Sequence, residues 1–198
     1  MRKYTIAFAA LALLGTPVHA APPTAKAGTY TIDPHHTQII FEIRHMGLST
    51  FYGRFGAVSG TLTFDPATPE KSTLSATVDM TNIQTHVDEL DKELRDDVFH
   101  AEKFPTATFT GTQIVKTGDN TGTLTGNLTL AGVTKPVTLD ATFEGGGASP
   151  LSAGYAMGFK ATAMIRRTDF GITGMGWEPF VSDDVNLIIE ATFNREKN

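Results

Sequence analysis

The feature that most constrains this chain is a long alternation of apolar and polar residues between positions 36 and 65. Ile39, Phe41 and Ile43 fall on one side of an extended strand, and the alternation resumes through Leu62 and Phe64 after a loop rich in Gly and Ser. Because successive side chains of a strand point to opposite faces, the pattern predicts a hairpin with one apolar and one polar face. An apolar face has to be buried, and we expect this one to close around an apolar ligand.

About nine such runs follow one another along the chain, and most are near ten residues long. This length exceeds the ~5–6 residues of an ordinary strand. Long antiparallel strands in sequence order favour an all-β fold, an extended up-and-down barrel that leaves no sheet edge exposed. A two-sheet sandwich is the alternative that the pattern leaves open.

The spacing of the apolar residues departs from strand-like alternation once, between residues 86 and 97. There Val87, Leu90 and Leu94 recur at spacings of three and four, with charged residues between them. This spacing predicts one amphipathic helix, with Thr85 as its N-cap. Beyond the helix, three apolar residues are predicted to form a plug near one end of the barrel: Val98, Phe99 and Phe104.

The beginning of the chain has a different character from the rest. Residues 1–20 combine a basic start, a short apolar run and a small-x-small site that ends at Ala20, which together predict a secretory signal peptide cleaved after that residue. Residues 21–27 are expected to form a flexible leader, and residues 28–198 a single domain. The predicted location is therefore the periplasm.

Charge and cysteine content argue against several classes of partner and site. The full chain carries 16 basic and 21 acidic residues, and loss of Arg2 and Lys3 with the signal peptide makes the remainder still more acidic. An acidic chain without a basic cluster argues against nucleic acid and anionic membrane surfaces as partners. The absence of cysteine excludes a thiol nucleophile, a thiolate metal site and a lipid anchor on an N-terminal cysteine. We therefore expect no stable membrane anchor.

Seven motifs between about residues 29 and 193 resemble the YceI-like family, described as polyisoprenoid-binding, lipocalin-like periplasmic proteins. One position departs from the resemblance, since the family more often has Ser where this chain has His36. In chain order the motifs are DPHH at 33–36, IIFEIRHMG at 39–47, YGRF at 52–55, GTLTFD at 60–65, ELRDDVFHAEKFPTATF at 93–109, GTLTGNLTLAGVTKPVTL at 122–139 and RRTDFGI at 166–172.

The resemblance implies an extended eight-stranded antiparallel, lipocalin-like barrel with a helix near one end. It also implies a long-chain isoprenoid, such as a polyprenyl quinone or its precursor, in a central tunnel. A homodimer is expected on the same ground alone. The family is not established as enzymatic.

Residue size along the inner faces bears on whether such a barrel is filled or hollow. Small inward residues such as Gly60, Gly126 and Ala191 leave a narrow channel, or they relieve crowding in a filled, tapered barrel. If the channel exists, its predicted ligand-binding residues are the inward-facing ones: Ile39, Phe41, Ile43, His45, Leu62, Phe64, Leu74, Ala76, Val78, Phe109, Leu124, Leu128, Leu139, Ala141, Phe159, Ala161, Ala163, Leu187 and Ile189.

Three arginines are candidates for binding a polar head group: Arg54, Arg166 and Arg167. Their guanidinium groups match phosphate geometry, although ion pairs with nearby aspartates are an equal alternative. His45, at a strand end, could also donate a hydrogen bond to a head group. The histidines lack a zinc-site spacing, and no nucleophile elbow or Gly-rich phosphate loop is present. We therefore predict no metal site, no cofactor and no catalytic residue.

The sequence thus predicts a periplasmic carrier that holds a long-chain isoprenoid lipid or quinone in a hydrophobic tunnel. A carrier of fatty acids or fatty amides with the same tunnel is one alternative. An enzyme acting on such a lipid is another, and it would need paired carboxylates or a histidine–carboxylate contact facing the lumen.

Overall fold

The computed structural model describes four parts of the chain: residues 25–149, 154–173, 176–177 and 179–195. The predicted signal peptide and the first four residues of the predicted leader lie outside these ranges.

Ten antiparallel β-strands form one sheet in the described residues. They are β1 (Gly28–Ile32), β2 (Gln38–His45), β3 (Ser49–Arg54), β4 (Val58–Phe64), β5 (Thr73–Asp79), β6 (Thr106–Lys116), β7 (Thr121–Leu130), β8 (Val133–Ala148), β9 (Tyr155–Arg166) and β10 (Val181–Arg195). Helical segments are short: 3-10 turns at Pro69–Lys71 and Arg167–Phe170, an α-helix α1 (Asp88–Glu93) and a π-helical turn at Leu94–Val98. None of the described helices is long and apolar enough to cross a membrane.

Eight of these strands close into a barrel, which confirms the predicted fold and excludes the sandwich. The ring runs β1-β4-β5-β6-β7-β8-β9-β10 and returns to β1 by pairing of Ile32 with Phe193. β2 lies beside the first part of β10, where Leu187 pairs with Phe41, and β3 pairs with β2. The short first strand therefore closes the ring, while the β2–β3 hairpin extends one wall.

The break between β1 and β2 is held by hydrogen bonds to two residues of β10, Thr192 and Asn194. The backbone N–H of Asp33 donates to the carbonyl oxygen of Thr192 at 2.8 Å, and the N–H of Thr192 donates to the buried Thr37 hydroxyl at 3.1 Å. Backbone groups that leave a strand ladder need such partners. Three strands also contain bulges, in β6, β8 and β10, which bend the sheet toward closure.

The predicted helix over residues 86–97 is shorter and less regular than expected. α1 is followed at once by the π-helical turn, and its N-cap is Val87, which makes no side-chain capping bond. Thr85 is therefore not the N-cap, because His86 has a positive φ of 67° and turns the chain between them. Instead the N–H and hydroxyl of Thr85 both donate to the Asp91 carboxylate at 2.6 Å.

Candidate ligand-binding site

In the part of the chain that the structure describes, two mainly apolar cavities lie within the barrel, one toward each end, and each is partly open. Cavity 1 has a volume of about 360 Å³ and lies toward the turn between β6 and β7. Cavity 2 has a volume of about 120 Å³ and lies toward α1 and the segment between β9 and β10.

Nine of the predicted ligand-binding residues lie on the wall of cavity 1. Phe159 is the centre of an aromatic cluster there, with ring centroids 5.2 Å from Phe143, 5.7 Å from Phe193 and 6.0 Å from Phe64. Alternation along each strand turns these side chains inward together. The nine residues are Leu62, Phe64, Leu74, Leu124, Leu139, Ala141, Phe159, Ala161 and Ile189.

Loop and turn residues border cavity 1 at its end of the barrel, and we call this border the mouth. Its members are Pro66, Pro69, Lys116, Asp119 and Asn120. The sequence marks residues 118–120 only as a turn, so their place beside the cavity was not predicted. The mouth adds polar groups of both charges to a site whose walls are otherwise mainly apolar.

Six other predicted residues lie on the wall of cavity 2: Ile39, Phe41, Ile43, Val78, Leu128 and Leu187. Four further residues cover this cavity, and we call them the apolar cap: Leu94, Val98, Phe99 and Trp177. Phe41, Phe55 and Phe99 form a second aromatic cluster, with successive centroids 5.2 and 5.8 Å apart. The structure thus places Val98 and Phe99 of the predicted plug at a barrel end.

The last four of the predicted ligand-binding residues lie on the wall of neither cavity. Ala76, Phe109 and Ala163 belong to the core between the two cavities. His45 was expected on the apolar face, but its side chain is exposed. Its strand β2 lies outside the closed ring, beside β10, and at the last residue of β2 this face meets solvent.

The structure separates the three arginine candidates. Arg54 is exposed and donates to the Gln84 side chain at 2.5 Å. Arg166 is exposed and forms a 2.9 Å ion pair with Asp183, and this hydrogen bond raises the pKa of Arg166 above its usual value. Arg167 alone reaches a cavity.

Arg167 is 4% exposed and lies in the lining of cavity 2. Its nitrogens donate to the backbone carbonyl oxygens of Ser182 at 3.1 Å and Ile172 at 2.9 Å. The bond to Ser182 ties the 3-10 turn after β9 to the start of β10, and the bond to Ile172 holds the segment that follows the turn. Head-group binding by any of the three arginines stays a prediction.

The cavity walls are mainly apolar. Within the described residues, the lining of the two cavities includes no histidine, and Asp119 at the mouth is its one carboxylate. No group of three or more His, Asp or Glu side chains in those residues is arranged to hold a metal ion. The close histidine–carboxylate pair Asp33–His36, at 2.8 Å, joins an exposed histidine to the turn between β1 and β2. The arrangement can bury an apolar chain.

Comparison with known proteins gives consistent matches over nearly all of the chain. The family model of the YceI-like domain matches residues 30–193. Protein YceI of Salmonella arizonae is 41% identical over 201 residues, covering 100% of both chains. The crystal structure of the Campylobacter jejuni YceI protein has a TM-score of 0.66 and 28% identity, with 100% of both chains covered.

A further solved structure is described as a polyisoprenoid binding domain from Saccharophagus degradans, implicated in plant cell wall breakdown. It has a TM-score of 0.65 and 16% identity, and the match covers 83% of this chain and 97% of that domain. At this identity the likeness shows a shared fold.

Proposed function

Since this chain belongs to the YceI-like domain family, we propose that it is a binding protein for a long-chain isoprenoid lipid, such as a polyprenyl quinone or its precursor. The observation that carries the proposal is the apolar cavity of about 360 Å³ inside a closed barrel. The polyisoprenoid binding domain of Saccharophagus degradans, which has the same fold, supports the choice of ligand class.

The size of cavity 1 favours a long chain over a compact apolar metabolite. An apolar cavity of about 150 Å³ is enough to bind benzene, so 360 Å³ has room for roughly 14 carbon atoms. At about 0.8 kcal/mol for each buried CH₂, the gross gain is about 11 kcal/mol. Association costs on the order of 4–15 kcal/mol, so a chain that fills only part of the cavity binds weakly.

The polar head group of the ligand belongs at the mouth of cavity 1. Lys116 and Asn120 offer hydrogen-bond donors there, whereas the other end of the barrel is covered by the apolar cap. Arg167 remains the alternative anchor, although two backbone carbonyls already accept bonds from its guanidinium. The location in the periplasm rests on the predicted signal peptide, and a homodimer rests on family resemblance alone.

The proposal is tested by purifying the protein from cells under gentle conditions and recording native mass spectra before and after lipid extraction. We expect one isoprenoid lipid for each barrel. Co-purified fatty acids or fatty amides would favour the alternative carrier, and conversion of an added lipid would favour an enzyme. The proposal fails if the lipid-free protein binds no polyprenyl alcohol of three or more isoprene units.

A further inference from the structure

Between the two cavities, three strands of the barrel carry a very small residue at their inward position. On β5, Leu74 lies on the wall of cavity 1 and Val78 on that of cavity 2, and the inward residue between them is Ala76. The same sequence of positions recurs on two more strands. The small residue is Gly126 between Leu124 and Leu128 on β7, and Ala163 between Ala161 and Ile165 on β9.

The strand β6 places a large residue at this level. Ala107 lies on the wall of cavity 2 and Ile114 on that of cavity 1, with the inward Phe109 between them. The Phe109 ring is buried and extends over the neighbouring strand, since a Cβ added at Gly126 would overlap its Cζ and lie 2.8 Å from its Cε1. The ring therefore fits in this position because residue 126 has no side chain.

The large Phe109 ring on β6 and the small residues at the matching positions of β5, β7 and β9 lie between cavity 1 and cavity 2. The Phe109 ring occupies the space that Gly126 leaves open, and Ala76 and Ala163 belong to the same apolar core. Removal of the ring would uncover the backbone of Gly126 at the level between the two cavities.

We propose that Phe109 is a partition that sets the length of hydrocarbon chain this barrel accepts. The proposal rests on the proposed function, because it assumes a chain held in cavity 1. A chain of roughly 14 carbons, or about three isoprene units, ends at the ring. Further units gain no buried surface in cavity 2 unless the ring moves aside.

Trp177 provides a reporter for this partition. It is the single tryptophan of the chain and lies in the lining of cavity 2. Its fluorescence therefore responds to a ligand that enters cavity 2 and stays unchanged when only cavity 1 is filled.

The experiment titrates the lipid-free protein with polyprenyl alcohols of two, three, four and five isoprene units. For the wild type we expect Kd to fall up to three units and then to change by less than twofold, with constant Trp177 emission. For Phe109→Ala we expect the four-unit alcohol to bind at least tenfold tighter than the three-unit one and to shift the emission. Phe143→Ala, which removes a ring from the wall of cavity 1 alone, serves as the matched control and leaves the emission constant.

Phe109→Leu repeats the measurement with a smaller loss of core volume, in case the alanine variant does not fold. If Kd of the Phe109 variants depends on chain length as in the wild type, and Trp177 emission does not change, the partition is refuted and the proposed function is not. The same holds if the emission of the wild-type protein responds to the two-unit alcohol. Failure of every alcohol to bind the wild type would overturn the proposed function as well.

Discussion

A hollow interior can be tested by filling it from within. Ala161 on β9 is 8% exposed, lies on the wall of cavity 1, and pairs with Ile189 on β10 and Ala141 on β8. The substitution Ala161→Phe would place an aromatic ring in cavity 1. Met164→Phe adds a ring on the outer face of the same strand, where the native side chain is 64% exposed, and is the matched control.

The expected magnitudes follow from the cavity volume. A ring needs about 150 Å³ of the 360 Å³ available, so it enters without displacing its neighbours. Inserting extra atoms into a filled core costs about 1–3 kcal/mol, whereas a ring buried in an empty cavity contributes a gain of similar size. The free energy of unfolding should therefore stay constant or rise by about 1–2 kcal/mol. A ligand that loses room for about six carbons loses about 5 kcal/mol, which is more than a thousandfold in Kd.

Urea unfolding followed by circular dichroism measures the free energy of unfolding. Titration with a polyprenyl alcohol of three isoprene units measures Kd. A loss of about 2 kcal/mol or more in Ala161→Phe, with Met164→Phe unchanged, would show that the interior is filled and would refute the volume argument. A stable Ala161→Phe variant with wild-type affinity would show that the ligand binds elsewhere.

Two further predictions concern single carboxylates. Asp91→Ala leaves the buried N–H and hydroxyl of Thr85 without their acceptor, so the free energy of unfolding in urea should fall by about 1–3 kcal/mol; no change would contradict this. Partial burial raises the pKa of Asp33, but hydrogen bonds from His36 and from the backbone N–H of His35 outweigh it, and the pKa lies below its usual value. The resulting stability is present above the unfolded pKa of about 3.9 and is lost as pH falls through the folded pKa. Asp33→Asn should therefore be less stable than wild type at neutral pH and equal to it at strongly acidic pH; an equal deficit at both would contradict the assignment.

Alternation alone was enough to predict most of the cavity walls. Once Phe159 is placed inside, Ala161, Ala163 and Ile165 must follow it, because strand side chains repeat every second residue. The same rule puts Arg166 outside, so its separation from the cavities could have been predicted as well. His45 shows the limit of the alternation rule. The rule predicts the face of the strand on which a residue lies, but it does not predict where along the strand that face meets solvent.

The mouth and the place of Trp177 in the apolar cap could not be predicted in this way, whereas Val98 and Phe99 of the cap were predicted at a barrel end. Lys116 and Asn120 lie at or in a turn, and Trp177 lies in an irregular segment, so none of them belongs to a continuing periodic pattern. Their positions depend on which strand ends meet at each end of the barrel and on how the strands are staggered in the ring. The meeting of the strand ends and the stagger of the strands follow from the closed sheet and from the bulges in β6 and β10.

A barrel with internal cavities has to be stabilised by something other than a uniformly filled core. The ring of strands supplies continuous backbone hydrogen bonds, and close packing is concentrated in two aromatic clusters, one around Phe159 and one around Phe55. Each cluster lies against one cavity, so its rings present apolar surface for dispersion contacts with a bound chain. An apolar chain that enters cavity 1 supplies those contacts along its length. The apolar surface that the two aromatic clusters present to the cavities is therefore the source of the affinity we propose for a long hydrocarbon.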